Sequence, residues 1–316
     1  MGRKVYLMQD MDPAGKNYLT ERGYELVLAK AKTEAEQIEE VRDCDAIIVR
    51  VPRLTAAVIK AAPHLKVIAR HGVGVDNIDL ACATELGIQV TNGPYSNTES
   101  VAEHTVALTL ALGRKLPLLN RAVREGDWGI RNRIRLLDLQ GKTLGIVGSG
   151  RIGLLAAKKL HFGFDMQVLT WGTRHPEKLP DYIRPVGSLT ELAEKSDVLS
   201  LHCPSTKETR GLIDAEVLNA MKEGAYLINT ARGDVVDRKA LYQALVSGHL
   251  AGAAFDVFDG EPADPTDPLF TLDNFLITPH CSSHTPESFA NMSLHAAIGV
   301  DEVLSGRKVS WPVNQI

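Results

Sequence analysis

The sequence lacks long apolar runs and a strong charge of either sign. No run approaches the roughly 18 apolar residues of a membrane-spanning helix, and the apolar run near the N-terminus is too short for a signal peptide. The formal net charge is −4 at pH 7 and the pI is about 6.2. These values argue against binding to nucleic acid or to a membrane surface, so we predict neither partner.

The sequence also lacks paired cysteines. Its four cysteines, Cys44, Cys82, Cys203 and Cys281, lie far apart and form no C-x-x-C motif. This spacing indicates neither a zinc site nor a disulfide framework, so we predict no bound metal. Reduced thiols are typical of the cytoplasm, and a cytoplasmic location is the corresponding prediction.

The length of 316 residues and a hydrophobic content of 44% predict about two domains, each with its own core. In the first part of the chain, short β-rich runs alternate with helical stretches, as in a parallel α/β unit. The predicted strands are residues 5–8, 25–28, 46–49, 67–69 and 88–91, and the predicted helices are residues 12–22, 33–41 and 55–62.

The rest of the chain continues this alternation. A helical pattern that ends at Gly113 is predicted to connect two domains, and a last helix between Thr285 and Gly306 is predicted to pack on the first domain. The arginine-rich segment 120–139, which contains Trp128, is predicted to project as an arm that is either a solvated basic loop or a functional surface. The predicted strands of a second sheet are residues 143–147, 167–170, 198–202, 225–229, 253–257 and 275–278.

A glycine-rich motif follows the apolar run 143–147. Gly148, Gly150 and Gly153 match the pattern G-x-G-x-x-G, and residues of helix-forming composition come next. In such a motif the first glycine permits a tight turn, the second lets the backbone approach a pyrophosphate, and the third lets helix and strand pack closely. Because the N-terminus of the helix then faces the phosphates, the motif predicts a dinucleotide-binding site.

Polar residues are concentrated where the predicted strands of the second sheet end, which is where ligands bind in open parallel sheets. Taken singly, Arg232 is more typical of a surface arginine, Glu261 of a solvated acid and His280 of a structural histidine. Together, they offer a cation for a carboxylate, a proton carrier near neutral pH and an acid that orients it. Beside a dinucleotide site, this set predicts hydride transfer to a 2-oxo acid.

These segments resemble the D-isomer-specific 2-hydroxyacid dehydrogenase family, and the resemblance covers essentially the whole chain. It is carried by residues 70–79, the glycine motif with Arg151 and Ile152, residues 229–237, and the run from Asp256 to His280. The resemblance implies an α/β fold of two Rossmann-like domains, with a doubly wound parallel-sheet nucleotide-binding domain inserted in a flavodoxin-like substrate domain. The implied boundaries are 98–286 for the inserted domain and 1–97 with 287–316 for the substrate domain.

The resemblance also implies the roles of single residues. Arg232 is the implied substrate-binding arginine, His280 the general acid and base, and Glu261 the partner of His280. The backbone of Val73 and Gly74 is the implied clamp for the substrate carboxylate. The implied cofactor contacts are Gly148, Gly150, Arg151, Ile152, Gly153, Cys203, Pro204, Thr230, Ala231, Asp256 and Ser283.

One departure from the family pattern lies beside the implied catalytic histidine. The family usually has a small residue followed by glycine at this place, whereas Cys281, Ser282 and Ser283 follow His280 here. The backbone after His280 is therefore expected to differ from that of the family.

A second departure concerns the choice of cofactor. An NAD site has an acid about 20 residues after the glycine motif, where it holds the ribose hydroxyl. Gly172 occupies that place, and residues 169–175 contain no acid. Because Thr173 and Arg174 can donate hydrogen bonds to a 2′-phosphate, we predict a preference for NADP, with NAD as the other possible cofactor.

The resulting prediction is an oxidoreductase that transfers a hydride between NAD(P)H and a small 2-oxo acid of the glyoxylate, hydroxypyruvate or phosphohydroxypyruvate class. Glu261 argues against the formate dehydrogenase branch, which the resemblance associates with glutamine. The alternative is a dinucleotide-sensing interaction protein of the co-repressor type. The resemblance implies a homodimer through the nucleotide-binding domain and Trp128, and no appended regulatory domain is expected after the last helix. Which 2-oxo acid is used is left open.

Overall fold

The computed structural model describes residues 2–173 and 175–316, which form two compact units. One unit contains the chain up to Asn97 together with Ser283–Ile316, and the other is Thr98–Ser282. The chain thus returns to the first unit after Ser282, whereas the resemblance implies a return after residue 286.

The first unit is built on five parallel strands: β1 (Lys4–Leu7), β2 (Glu25–Leu28), β3 (Ala46–Val49), β4 (Val67–Arg70) and β5 (Gln89–Thr91). Their order in the sheet is β2-β1-β3-β4-β5, which is the flavodoxin-like order. The helices of this unit are α1 (Pro13–Thr20), α2 (Glu34–Glu40), α3 (Ala56–Lys60), α4 (Leu80–Glu85) and α11 (Pro286–Leu304).

Both faces of this sheet are covered, because successive side chains of a strand point to opposite sides. In β1, Val5 and Leu7 pack in a cluster with Val300 of α11, while Tyr6 packs in a second cluster. The helix α11 begins where the sequence indicates, since the side chain of Thr285 accepts a hydrogen bond from the backbone N–H of Ser288. The last helix is therefore part of the core of the first unit.

In its described residues, the second unit contains seven parallel strands and six α-helices. The strands are β6 (Thr143–Val147), β7 (Gln167–Trp171), β8 (Ile183–Pro185), β9 (Val198–Leu201), β10 (Ala225–Asn229), β11 (Leu250–Phe255) and β12 (Phe275–Ile277). The helices are α5 (Thr98–Gly113), α6 (Leu116–Arg124), α7 (Arg151–Phe164), α8 (Leu189–Lys195), α9 (Ala215–Ala220) and α10 (Arg238–Val246).

The strand order in the second sheet is β12-β11-β10-β9-β6-β7-β8. The chain starts at β6, runs outward through β7 and β8, and then returns to β9 on the other side of β6. The order therefore reverses between β6 and β9, and such a switch point is where doubly wound sheets bind ligands. The topology of the two sheets confirms the predicted α/β class.

Two elements differ from the sequence prediction. The edge strand β8 was not predicted, because a run of three residues that ends in proline carries little strand signal. The predicted arm 120–139 is partly helical: α6 reaches Arg124, and a 3-10 helix spans Trp128–Asn132. No helix in the described part of the chain is long and apolar enough to cross a membrane.

Candidate active site

The glycine motif forms the turn between β6 and α7. Gly148 has φ of +94°, a conformation that side chains disfavour. A Cβ at Gly153 would lie 2.5 Å from the carbonyl oxygen of Gly148, so only glycine permits this approach of helix to turn. Around Gly150, by contrast, a Cβ would meet no atom within 4 Å. The turn is therefore tight on its inner side and open on the side where a phosphate would approach.

The first turn of α7 is suited to bind an anion. Its N-cap residue is Gly150, which has no side chain to satisfy the backbone N–H groups, and Arg151 and Ile152 follow. Unsatisfied N–H groups and the helix dipole both favour a negative charge at this end. The residues present therefore fit the pyrophosphate of a dinucleotide.

The segment after β7 contains the residues predicted to bind the ribose end of such a cofactor. Gly172 has φ of +81° and turns the chain directly after Trp171. The hydroxyl oxygen of Thr173 accepts a hydrogen bond from the backbone N–H of His175 at 3.3 Å. Arg174, the other residue predicted to hold a 2′-phosphate, lies outside the described residues.

The turn after β10 positions the predicted substrate arginine. The buried side chain of Asn229 accepts from the N–H of Ala231 at 2.9 Å and donates to the carbonyl of Arg232 at 2.9 Å. A Cβ at Gly233 would lie 2.1 Å from the backbone carbon of Phe258, so glycine is required there. This close approach brings the Arg232 turn against the loop that carries Glu261.

Three predicted cofactor contacts are buried at the strand ends beside this turn. Thr230 and Ala231 are 9% and 7% exposed, and the hydroxyls of Thr230 and Thr105 lie 3.0 Å apart. Cys203, which follows β9, is also buried, and the adjacent Pro204 is exposed. Cys203 and Pro204 follow β9, which flanks the switch point, and Thr230 and Ala231 follow the neighbouring strand β10.

His280 and Glu261 form a hydrogen-bonded pair. The distance from His280 Nδ1 to Glu261 Oε2 is 2.7 Å, and the side chains are 47% and 38% exposed. The backbone N–H of Phe258 donates to the other carboxylate oxygen of Glu261 at 2.9 Å. His280 has a positive φ of 51°. Since Nδ1 is held by the carboxylate, Nε2 is the nitrogen that can exchange a proton with a substrate.

The carboxyl of Glu261 is held in its charged form. Partial burial alone would raise its pKa, but the hydrogen bonds from His280 and from the Phe258 N–H lower it, as do the charges of His280 and Arg232. The result is a pKa below the usual value. Glu261 is therefore a carboxylate at neutral pH, with the Arg232 guanidinium nearby.

Asp256 organises the segment after β12. It is fully buried, and its Oδ1 accepts from the Thr278 hydroxyl at 2.6 Å and from the Cys281 N–H at 2.9 Å. Its Oδ2 accepts from the Ser282 N–H at 2.9 Å. Through these bonds, the buried carboxylate of Asp256 holds the backbone after His280. This segment lacks the glycine that is usual in the family.

His104 is a residue of this site that the sequence argument missed. Its Nε2 lies 3.0 Å from the Thr278 hydroxyl and 3.6 Å from Asp256 Oδ1. In the sequence, the polar pair His104 and Thr105 lies within the apolar pattern of α5, and this pair was the signal that could have indicated His104 as a site residue. Such a pair faces a site only if the helix packs beside the strand ends, which the tertiary structure decides.

His280 and Glu261 line a cavity of about 330 Å³ within the second unit. Asp256, Thr278 and Phe258 line the same cavity. A fixed carboxylate, a histidine and an apolar wall are the surroundings that favour proton transfer to a small ligand. The second unit thus brings together Arg232, Glu261, His280 and the predicted contacts Thr230, Ala231 and Asp256.

Three other predicted site residues belong to the first unit. Val73 and Gly74 lie in the loop after β4, where Asn92 Nδ2 donates to the Val73 carbonyl at 2.8 Å and Arg70 Nε donates to the Gly74 carbonyl at 2.5 Å. Ser283 is the residue at which the chain re-enters this unit. The loop at Val73 and Gly74 is thus held in place through its carbonyl groups.

The chain is similar to known proteins over nearly its whole length. A family model described as D-isomer specific 2-hydroxyacid dehydrogenase, NAD binding domain, matches residues 106–282. A D-3-phosphoglycerate dehydrogenase of Archaeoglobus fulgidus is 39% identical over 313 residues, which are 98% of this chain and 59% of that relative. The chain therefore spans about three fifths of the length of this relative.

Two further similarities extend over most of both chains. A glyoxylate reductase of Korarchaeum cryptofilum is 40% identical over 304 residues, which are 93% of this chain and 90% of the relative. The structure of an NADPH-dependent glyoxylate/hydroxypyruvate reductase from Sinorhizobium meliloti, in complex with NADP and malonate, has a TM-score of 0.87 and 32% identity, and the similarity covers 99% of this chain and 97% of that chain. The chain therefore belongs to the D-isomer specific 2-hydroxyacid dehydrogenase family.

Proposed function

We propose that this protein reduces a small 2-oxo acid to the D-2-hydroxy acid, or catalyses the reverse reaction, with a nicotinamide cofactor. The observation that carries the proposal is the 2.7 Å bond between His280 and Glu261, in the unit that also carries Arg232 and the glycine turn. In this proposal, residues 98–286 bind the nucleotide, and residues 1–97 with 287–316 bind the substrate.

Arg232, His280 and Glu261 have different roles in this proposal. The Arg232 guanidinium binds the substrate carboxylate with two hydrogen bonds and polarises the oxo group. His280 Nε2 delivers a proton to the oxo oxygen, and Glu261 orients the imidazole through Nδ1 and stabilises its charged form. When bound, the reduced nicotinamide supplies the hydride to the oxo carbon. In the reverse reaction, His280 accepts the hydroxyl proton.

The proposed substrate class rests on the relatives, which are named D-3-phosphoglycerate dehydrogenase, glyoxylate reductase and glyoxylate/hydroxypyruvate reductase. Glyoxylate, hydroxypyruvate and phosphohydroxypyruvate are small acids that a cavity of about 330 Å³ admits. The proposal is tested by assaying the purified protein with these three acids and pyruvate, each with NADH and NADPH. Turnover of at least one acid is expected. Cofactor binding without any turnover would contradict the proposal and support the sensor of the co-repressor type, which none of the similarities favours.

For the cofactor, we propose that NADP(H) is preferred over NAD(H). An acid after β7 would repel a 2′-phosphate, and residues 169–175 contain none. The side chains of Thr173 and Arg174 are the proposed donors to that phosphate. The sequence of this segment supports the proposal.

For the assembly, we propose a homodimer that buries the surface around Trp128. Trp128 is 67% exposed, and Leu116 and Leu136 of the flanking segments are 53% and 43% exposed. Large apolar side chains grouped along one stretch are typical of a partner surface.

All four cysteines are free thiols, which supports a cytoplasmic location. A net charge of −4 supports the absence of a nucleic-acid partner.

A further inference from the structure

Three side chains with different donor atoms meet beside the catalytic pair. His104 comes from α5, Asp256 follows β11, and Cys281 follows β12. One imidazole nitrogen, one carboxylate oxygen and the thiol sulfur of these residues all lie within 4.8 Å of one another. The roles assigned above to Arg232, Glu261 and His280 use neither His104 nor Cys281.

This set of donors matches the preferences of a zinc-class cation. Nitrogen, carboxylate oxygen and thiolate sulfur are its usual protein ligands, and a water completes a tetrahedral site that has three of them. Metal–ligand distances of about 2.0–2.3 Å place tetrahedral donors roughly 3.3–3.8 Å apart. His104 Nε2 and Asp256 Oδ1 already lie 3.6 Å apart. The Cys281 sulfur lies within 4.8 Å of the imidazole nitrogen and of the carboxylate oxygen.

The charge of the cluster favours a cation as well. Asp256 is 0% exposed, and in the described part of the chain no lysine or arginine forms an ion pair with it. Its neighbours are the Thr278 hydroxyl and two backbone N–H groups. A divalent cation stabilises a buried carboxylate that lacks a full countercharge more than it stabilises an exposed carboxylate. The His104 side chain is 22% exposed, so the cluster is reachable from solvent.

We propose that His104, Asp256 and Cys281 form an inhibitory binding site for a thiophilic divalent cation of the zinc class, which competes with the nicotinamide cofactor. Coordination converts the Cys281 thiol to a thiolate and releases its proton to solvent. The cation binds the Asp256 carboxylate, which the resemblance to the family implies as a contact of the cofactor. Competition therefore rests on the proposed function, whereas binding of the cation does not.

Binding is measured on the full-length protein without cofactor, by titrating Zn²⁺ against a chelating dye and by recording the thiolate absorption of bound Co²⁺. We expect one Zn²⁺ per chain. Cys281→Ser and His104→Asn should each weaken Zn²⁺ binding at least tenfold, and Cys281→Ser should abolish the thiolate absorption of Co²⁺. Cys82→Ala, which removes a buried cysteine of the first unit, should change neither. Equal Zn²⁺ affinity in Cys281→Ser and wild type would overturn the site.

Competition is measured separately, by the concentration of NADPH or NADH that displaces Zn²⁺ in the dye assay and by inhibition of turnover. Inhibition should weaken in proportion to the cofactor concentration, and EDTA should reverse it. Zn²⁺ that stays bound at saturating cofactor would overturn the competition. If no 2-oxo acid is turned over, the proposed function fails, but the dye and Co²⁺ measurements still decide whether the cation binds.

Discussion

His280 Nδ1 lies 2.7 Å from Glu261 Oε2, and the second oxygen of the same carboxylate is held by the backbone N–H of Phe258. The backbone bond fixes the orientation of the carboxylate, and the carboxylate in turn fixes the imidazole. Because both oxygens of Glu261 are used, the direction of His280 Nε2 depends on the loop that carries Phe258 and Glu261.

Glu261→Gln should lower kcat/KM for reduction about tenfold or more, because a charge-assisted bond contributes about 1.5–3 kcal/mol. The pKa of Glu261 is lowered from its ordinary value of 4.5. Its contribution is thus fully present above pH 4.5 and is lost as pH falls through the lowered pKa. The Glu261 carboxylate is therefore charged throughout the range from about pH 6 to 8, in which the variant and the wild type should be compared. Asp259→Asn, in the same loop, is the control, and equal loss in both variants would contradict the pairing.

Arg232→Lys should lower kcat/KM with the best 2-oxo acid by more than about tenfold, which corresponds to about 1.4 kcal/mol. A lysine keeps the charge but cannot form two parallel hydrogen bonds with a carboxylate. Steady-state kinetics of the variant and of Arg238→Lys, a surface arginine paired with Asp267, provide the comparison. A change within about twofold in Arg232→Lys would show that the arginine does not bind the carboxylate in this way.

Thr173→Asp should move the cofactor preference toward NADH. The new carboxylate would repel a 2′-phosphate, and it can still accept the hydrogen bond that Thr173 takes from the His175 N–H. The ratio of kcat/KM with NADPH to kcat/KM with NADH should fall at least about tenfold, or about 1.4 kcal/mol. Wild-type protein that uses NADH as well as NADPH would refute the proposed preference, as would an Arg174→Ala variant with an unchanged ratio.

His202 should make the second unit sensitive to acid. Burial lowers the pKa of His202 from 6.5 to about 4, and its Nε2 lies 2.9 Å from the Ser200 hydroxyl. The folded state resists protonation, so the free energy of unfolding is unaffected above pH 6.5 and falls as pH decreases toward 4. Protonation of this residue can change the free energy of unfolding by at most about 1.4 kcal/mol per pH unit.

His202→Gln should flatten this slope in urea-unfolding curves recorded through that pH range. The control is His64→Gln at an exposed position, which should leave the slope as in wild type. An unchanged pH dependence in His202→Gln would show that protonation of this histidine does not oppose folding.

Trp128→Glu should dissociate the proposed homodimer, because a charge in an apolar interface is costly to desolvate. Sedimentation at micromolar concentration should give twice the chain mass of 34.4 kDa for wild type and the chain mass for the variant. Phe162→Glu, which changes another exposed aromatic residue, is the control and should remain a dimer. A wild-type protein that sediments as a monomer would refute the assembly.

Much of the fold could be predicted because its signals are local. The runs that became β3 and β6 are short and apolar, as strands buried on both faces must be, and glycines mark the turn that follows β6. Prediction failed at β8, an edge strand with an exposed proline, because only pairing with β7 makes those three residues a strand. The helix α6 was not predicted, because the arginines of this segment obscure the pattern of its apolar side chains.

The sequence alone predicted the chemistry of the chain from a glycine turn for a dinucleotide and from Arg232, Glu261 and His280 at the ends of predicted strands. Residue identity and short spacing suffice for such motifs, since each lies on one turn or loop. The tertiary structure decided which residues meet. His104, Asp256 and Cys281 are separated by up to 177 positions along the chain, and they come within 4.8 Å because α5 packs beside the ends of β11 and β12. Contacts between such distant segments depend on packing, which no local pattern encodes.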